Sequence, residues 1–379
     1  MAPRTPGSSP PRRHDRRVPG ARELVPVARA LVWERAVILA RHAEALLWVG
    51  RYLERAETTS RCLNYAANSI THLRADEARA EGELMVRTLG LQDELEAAGP
   101  LESQPQLVAF LLSDTDNPGS VVSAIVAVRE NLRSVRDRIP IELWEEANGL
   151  YLRFPFLGHA DVAPTGLHEV LLMVRRACLA ISGVLNEGMR RDEGHAFVVV
   201  GRMLERSIFT VGLLEASHSD ARGVMDATRM LRLTSSLQAY HRQHGNAPDP
   251  HGVVRYLLHA PDLPRSVLSC LGRAEEGLTG LGANSAALDR ARRKAALLRA
   301  RLELGEVEEA MASDPVATLQ DFAGQLAGLA GDVHAGIVPP LAMATVQAQY
   351  VRPGRAGEPG HSGGPGHSGG PGHVGEGAG

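Results

Sequence analysis

Cysteine is scarce in this chain of 379 residues: Cys62, Cys178 and Cys270 are the whole complement. They lack metal-ligand spacing and are too few for a disulfide framework, which fits a reducing compartment and makes the cytoplasm the expected location. Aromatic residues make up only 4%, so the core is expected to be mostly Leu, Ala and Val. The isolated Trp33, Trp48 and Trp144 are packing anchors rather than a nucleic-acid stacking platform. Acidic and basic residues nearly balance at a formal charge of -3, which gives no whole-protein attraction to nucleic acid. No apolar run approaches the roughly 20 residues that span a bilayer, so no membrane association is expected. Strand-like alternation does not recur, which leaves a central sheet unsupported.

Apolar residues nevertheless reach 44%, enough for a real core, and they recur at helical spacing. A long first helix is expected from 31–37 to about Leu73, a second over Asp76–Leu95, and a third over Gly119–Arg138 capped by Asp116 or Asn117 with Pro118 at its first position. A shorter helix follows from Ile141 to Tyr151. Later helices fit Gly166–Arg190, Gly194–Ser217, Ala221–His244, a segment around Ser266-Val267, Ala283–Leu304 and Pro315–Ile337. The expected fold is all-α, a multi-helix bundle. The helical body spans 31–345. A basic extension (1–30) precedes it and a Gly/Pro/His-rich tail (351–379) follows, both expected to be disordered because they bury too little apolar surface. The tail's His361, His367 and His373 lack acidic or thiol companions and make a poor metal site.

The most informative feature is a near-repeat. Gly50-Arg51-Tyr52-Leu53-Glu54-Arg55-Ala56 returns 151 residues later as Gly201-Arg202-Met203-Leu204-Glu205-Arg206-Ser207. A second landmark, Phe110-Leu111-Leu112 followed by Pro118 and Ser120-Val121, returns as Tyr256-Leu257-Leu258, Pro264 and Ser266-Val267. Two landmarks in the same order indicate internal duplication, with repeat halves at about 37–151 and 165–305, an added helix over 315–337, and a pseudo-twofold relation between the halves.

In each copy Arg and Glu three apart share one helical face. One arrangement pairs them reciprocally, Arg51 with Glu205 and Arg202 with Glu54, as a partly buried framework. The other uses Arg51, Arg55, Arg202 and Arg206 as a clamp for a carboxylate or phosphate, to which the fixed guanidinium fork is suited. Catalytic patterns are absent: no His-Glu-x-x-His, no Gly-x-Ser-x-Gly, no phosphate loop, and one Glu-x-x-His (Glu215, His218) without a partner. No metal and no cofactor is expected. Asp192, Glu193 and Gly194 form a helix-start motif whose carboxylates suit free backbone amides. Cys62 and Cys178 are small core hydrophobes.

Over residues 37–305 the chain resembles the alpha-E family, an uncharacterised bacterial helical family named for its Glu-Arg motif. The resemblance is carried by Ala43-Glu44-Ala45-Leu46-Leu47-Trp48-Val49-Gly50-Arg51-Tyr52-Leu53-Glu54-Arg55-Ala56-Glu57, Asp116-Asn117-Pro118, Arg129-Glu130-Asn131, Arg191-Asp192-Glu193-Gly194 and Gly201–Arg206. It adds Glu44 to the candidate polar framework. His195 stands where the family pattern leads one to expect an aromatic residue. The resemblance implies an accessory or scaffold beside an ATP-grasp or transglutaminase-like protein in a peptide-modification system. The alternative is an enzyme or binding protein that takes a carboxylate-bearing peptide into an interhelical Arg/Glu pocket.

Overall fold

A run of apolar residues at helical spacing (Leu46, Val49, Leu53, Ala56, Leu63) opens the described body as α1 (Ala40–Ile70). The computed structural model describes residues 38–70, 73–153, 164–220, 226–245, 247–281 and 285–337. The expected basic extension, residues 154–163, Trp33 and the His-rich tail lie outside those residues. Leu39, which has the helical spacing of that stripe, precedes the helix and is exposed.

After α1 come α2 (Ala75–Leu89) and α3 (Gln92–Ala98). One helix is expected there, but Gly90 adopts the left-handed conformation (φ 68°) and the amides of Gly90 and Leu91 turn back to Arg87 and Val86. That glycine cap ends α2. α4 (Gln104–Leu112) starts on Ser103, which accepts from the Gln106 amide. α5 (Val121–Ser134) is capped by Ser120, which accepts from Ser123 N at 3.1 Å. The expected cap at Asp116 or Asn117 is therefore displaced. Asn117 instead braces the turn, accepting from Gly119 N at 2.8 Å and donating to the Phe110 carbonyl at 2.9 Å. α6 (Ile141–Arg153) and α7 (Pro164–Glu187) complete the first stretch.

α8 (Glu193–His218) begins at Asp192, whose carboxylate accepts from the Gly194 and His195 amides at 3.0 and 3.3 Å. Glu193 occupies its first turn, where an acid complements the helix dipole. The single helix expected over 221–244 is two, α9 (Ala227–Leu233) and α10 (Leu237–His244). Ser235 sits between them at φ 55° while Thr234 and Ser236 hydrogen-bond each other and the end of α9. Serine and threonine compete for the backbone in this way and end helices. α11 (Pro250–His259), α12 (Val267–Leu281), α13 (Ala286–Glu303), a short α14 (Glu306–Met311) and α15 (Pro315–Ile337) follow.

The fold is an all-α bundle, with no strand among the described residues. Its axis is the α1–α8 pair. α5 and α7 pack on α1, α12 and α15 pack on α8, and α6 and α13 each bridge the two helices beside them. The core is mainly Leu, Val and Ala, with Phe322 its largest fully buried side chain. No described helix is long and apolar enough to cross a membrane.

Candidate functional site

Two glycines bring α1 and α8 together. A β-carbon on Gly50 would overlap the Val198 carbonyl oxygen, and one on Gly201 would overlap the Leu47 carbonyl oxygen. Backbone meets backbone at that point, as only glycine permits. The ions one turn further along each helix then reach its neighbour.

Arg51 Nε donates to Glu205 Oε2 at 2.8 Å and Arg55 Nε to Glu205 Oε1 at 2.7 Å. In the opposite sense, Arg202 Nε donates to Glu54 Oε2 at 3.0 Å, and Arg206 takes both oxygens of Glu54 through Nε (2.9 Å) and Nη2 (2.6 Å). Thr59 donates to the Gly119 carbonyl at 3.2 Å, and Thr210 to the Arg265 carbonyl at 3.3 Å. The sequence motif thus places Arg51, Glu54, Arg55, Arg202, Glu205 and Arg206 in one interhelical cluster.

Beyond this shared frame the two carboxylates differ. Arg265, from the turn before α12, bridges Glu54 and Glu57 with its two terminal amino groups, both at 2.6 Å. Glu57 also receives Arg61 Nη2 at 2.5 Å and Arg202 Nη2 at 3.4 Å. Arg61 Nη1 and Arg206 Nη1 are satisfied by the carbonyls of Leu233 (2.8 Å) and Pro264 (3.0 Å). Around Glu205, by contrast, Arg51 and Arg55 each use only Nε, and their terminal amino groups make no hydrogen bond to a described residue. Glu54 has 1% of its side chain exposed; Arg51 and Arg55 keep 18% and 24%.

Burial alone would raise the pKa of Glu54. The fields of Arg206, Arg265 and Arg202 overcome it and hold the carboxyl well below its usual range. Burial acts likewise on Glu205, and Arg55 and Arg51 again prevail. Arg61 goes the other way: burial and the neighbouring Arg265 lower it to about 10 despite Glu57. Six guanidinium groups (Arg51, Arg55, Arg61, Arg202, Arg206, Arg265) face three carboxylates (Glu54, Glu57, Glu205), an excess of three positive charges. Glu94 on α3 adds its field at Arg55.

The edge near Glu205 has an aromatic wall. Trp48 and Tyr52 stack at 5.2 Å between centroids; the Arg51 guanidinium lies 4.9 Å from the Trp48 ring and that of Arg55 5.4 Å from Tyr52. Guanidinium over an aromatic face is held by the ring quadrupole. Glu44 stands apart from the cluster and pairs with His334 Nε2 of α15 at 3.1 Å. Asp192 and Gly194 act at the α8 start, outside the cluster. Glu215 and His218 do not converge: Glu215 accepts from Gln320 and Ser219, while His218 Nδ1 faces the Leu214 carbonyl. No group of three potential metal-binding side chains occurs among the described residues.

Glu57 and Arg61, with the i,i+4 spacing of an ordinary helical ion pair, are buried, and Arg265 was missed. The sequence did carry a signal for Arg265: the matched turns read Pro118-Gly119-Ser120 and Pro264-Arg265-Ser266, a small residue exchanged for a cation.

No solved structure matches the chain. It is 25% identical over 340 residues to uncharacterized proteins of Mycobacterium tuberculosis and Mycobacterium bovis. The alignment covers 83% of this chain but only 37% of those relatives' length. Residues 38–336 match the model of the Alpha-E family, described as a predicted alpha-helical domain with a conserved ER motif. With its Glu54-Arg55 and Glu205-Arg206 at the helix crossing, this chain belongs to the Alpha-E family.

Proposed function

We propose that this body is a binding protein for a carboxylate-bearing peptide, taken up at the Glu205 edge of the α1–α8 crossing. The observation that carries this is the state of Arg51 and Arg55. Each is oriented by a hydrogen bond from Nε to Glu205, and each leaves both terminal amino groups without a bond to a described residue. A forked donor pre-positioned by a carboxylate and backed by Trp48 and Tyr52 suits an incoming carboxylate beside an apolar or aromatic side chain. Binding is favoured over turnover. Glu54 and Glu205 are held deprotonated by their arginines, with pKa values too low for a general base near neutral pH.

The two sets of helices descend, on this proposal, from one duplicated unit. α1, α5, α6 and α7 correspond to α8, α12, α13 and α15, related by a pseudo-twofold axis through the crossing, so the boundary falls after α7. The Glu54 half then serves as the structural anchor and the Glu205 half as the receptor. An ATP-grasp or transglutaminase-like enzyme is the partner that the family resemblance suggests.

Calorimetric titration with a short aromatic peptide bearing a free C-terminal carboxylate, and with its amide, tests the binding site. The acid is expected to bind at least about tenfold more tightly than the amide. The double substitution Arg51→Gln, Arg55→Gln is expected to erase that difference while the helical circular dichroism is kept. Equal binding of acid and amide, or no binding of either by the folded protein, overturns the proposal.

A further inference from the structure

A second concavity lies away from the α1–α8 edge, between α10, α11 and the turn that leads into α12. It is a shallow concavity of about 500 Å³, broadly open to solvent and within the range of small-molecule sites. Its floor is Tyr256, part of an aromatic cluster with Tyr240 and His244 (ring centroids 5.3 and 5.4 Å from Tyr256). Arg242 and Gln243 of α10 line one side; Asp262 and Pro264 line the other.

The far wall is braced. The Pro264 carbonyl receives Arg206 Nη1 at 3.0 Å and Cys270 Sγ at 3.5 Å, and Ser266 Oγ donates to the Ala260 carbonyl at 2.5 Å. Asp262 is therefore presented from a fixed turn. Arg242 and Asp262 both act on the Tyr256 hydroxyl, in opposite senses, so they lie near one ring. Neither forms an ion pair or hydrogen bond with the other or with any other described residue, although they line the same concavity. The matching turn of the first set of helices keeps the acid, as Asp116, but lacks the tyrosine beside it. Phe110 stands for Tyr256, Asn117 braces the turn from within, and the Leu91 side chain presses on Gly119.

We infer that this concavity is a second binding site, for a small zwitterion of the amino-acid class, with its carboxylate on Arg242, its ammonium on Asp262 and its side chain over the Tyr256 ring. A guanidinium suits a carboxylate and a carboxylate suits an ammonium, and leaving the two unpaired across an aromatic floor provides both contacts at once. A ligand with only one charge leaves one of them unanswered. This site shares no residue with the Arg51–Arg55 edge, so either can fail without the other.

Saturation-transfer NMR and calorimetry of the full chain with free leucine, N-acetyl-leucine and leucine amide test the inference. Free leucine is expected to bind saturably, and each singly charged analogue at least about tenfold more weakly. Arg242→Gln is expected to abolish the preference for leucine over its amide, and Asp262→Asn the preference over the N-acetyl form. Both residues are exposed, so neither change is expected to unfold the protein. No saturation by free leucine below about 10 mM, equal binding of the three compounds, or unchanged preferences in the two variants overturns it.

Discussion

Glu54 and Glu205 occupy matching places in two copies of one motif, yet they end in different electrostatic company. Glu54 is contacted by Arg202, Arg206 and Arg265 and has almost no solvent exposure; Glu205 is contacted by Arg51 and Arg55, whose outer amino groups make no hydrogen bond to a described residue. The difference comes from few positions. Arg265 replaces the small residue of the matching turn, Gly119. Glu57 and Arg61 have Ile208 and Gly212 at the same offset along α8. A carboxylate surrounded on all sides holds helices together. One bound from a single side orients its arginines and leaves them available.

The sharpest way to break this contrast is Glu54→Ala. It strands Arg206 and Arg265 without their shared acceptor in the interior, an expected loss of about 3–5 kcal/mol in equilibrium unfolding. Gly201→Ala comes next, at about 3 kcal/mol, because its methyl meets the Leu47 carbonyl rather than a movable side chain. Glu205→Ala is expected to cost about 2 kcal/mol, since Arg51 and Arg55 turn to solvent. A loss at Glu205 equal to that at Glu54 would remove the distinction between anchor and edge. Changing Glu83, exposed and paired with Arg79 at 3.0 Å, is expected to stay within about 0.5 kcal/mol.

Acid gives a further comparison. Glu54 and Glu205 have folded pKa values below the ordinary glutamate value of about 4.3. Their stabilisation is complete above that value and drains away as pH falls through the lower folded values. The denaturant midpoint is therefore expected to be flat in this respect from neutral pH to about 5 and to drop below about 4. The drop is expected to shrink more in Glu54→Gln than in Glu205→Gln, and denaturation curves at stepped pH read it directly.

Much of the crossing was legible in the motif itself. Arg and Glu three apart must share a face, and two copies on long helices can exchange partners. What escaped had physical reasons. Arg265 lies in a turn 59 residues beyond the second copy's Arg206, and no local periodicity connects a turn residue to a distant helix. Glu57 and Arg61 have the spacing of an ordinary surface pair; only the packing of α1 on several neighbours buries them. The breaks at Gly90 and Ser235 each depend on one residue in a left-handed conformation inside an otherwise helical pattern. The concavity beside Tyr256 joins α10 to a turn across α11, a proximity that tertiary packing alone creates.

Gly50 and Gly201 make the crossing a gauge as well as a contact. Its width is fixed by two missing carbon atoms, so each added atom at either position works as a shim between α1 and α8. Because the bonds of Arg51 and Arg55 to Glu205 and of Arg202 and Arg206 to Glu54 span the same gap, one shim is expected to lengthen these together. Alanine and then serine at position 50 or 201 form a graded ruler for how far the two helices can part before the charges exchange one another for water.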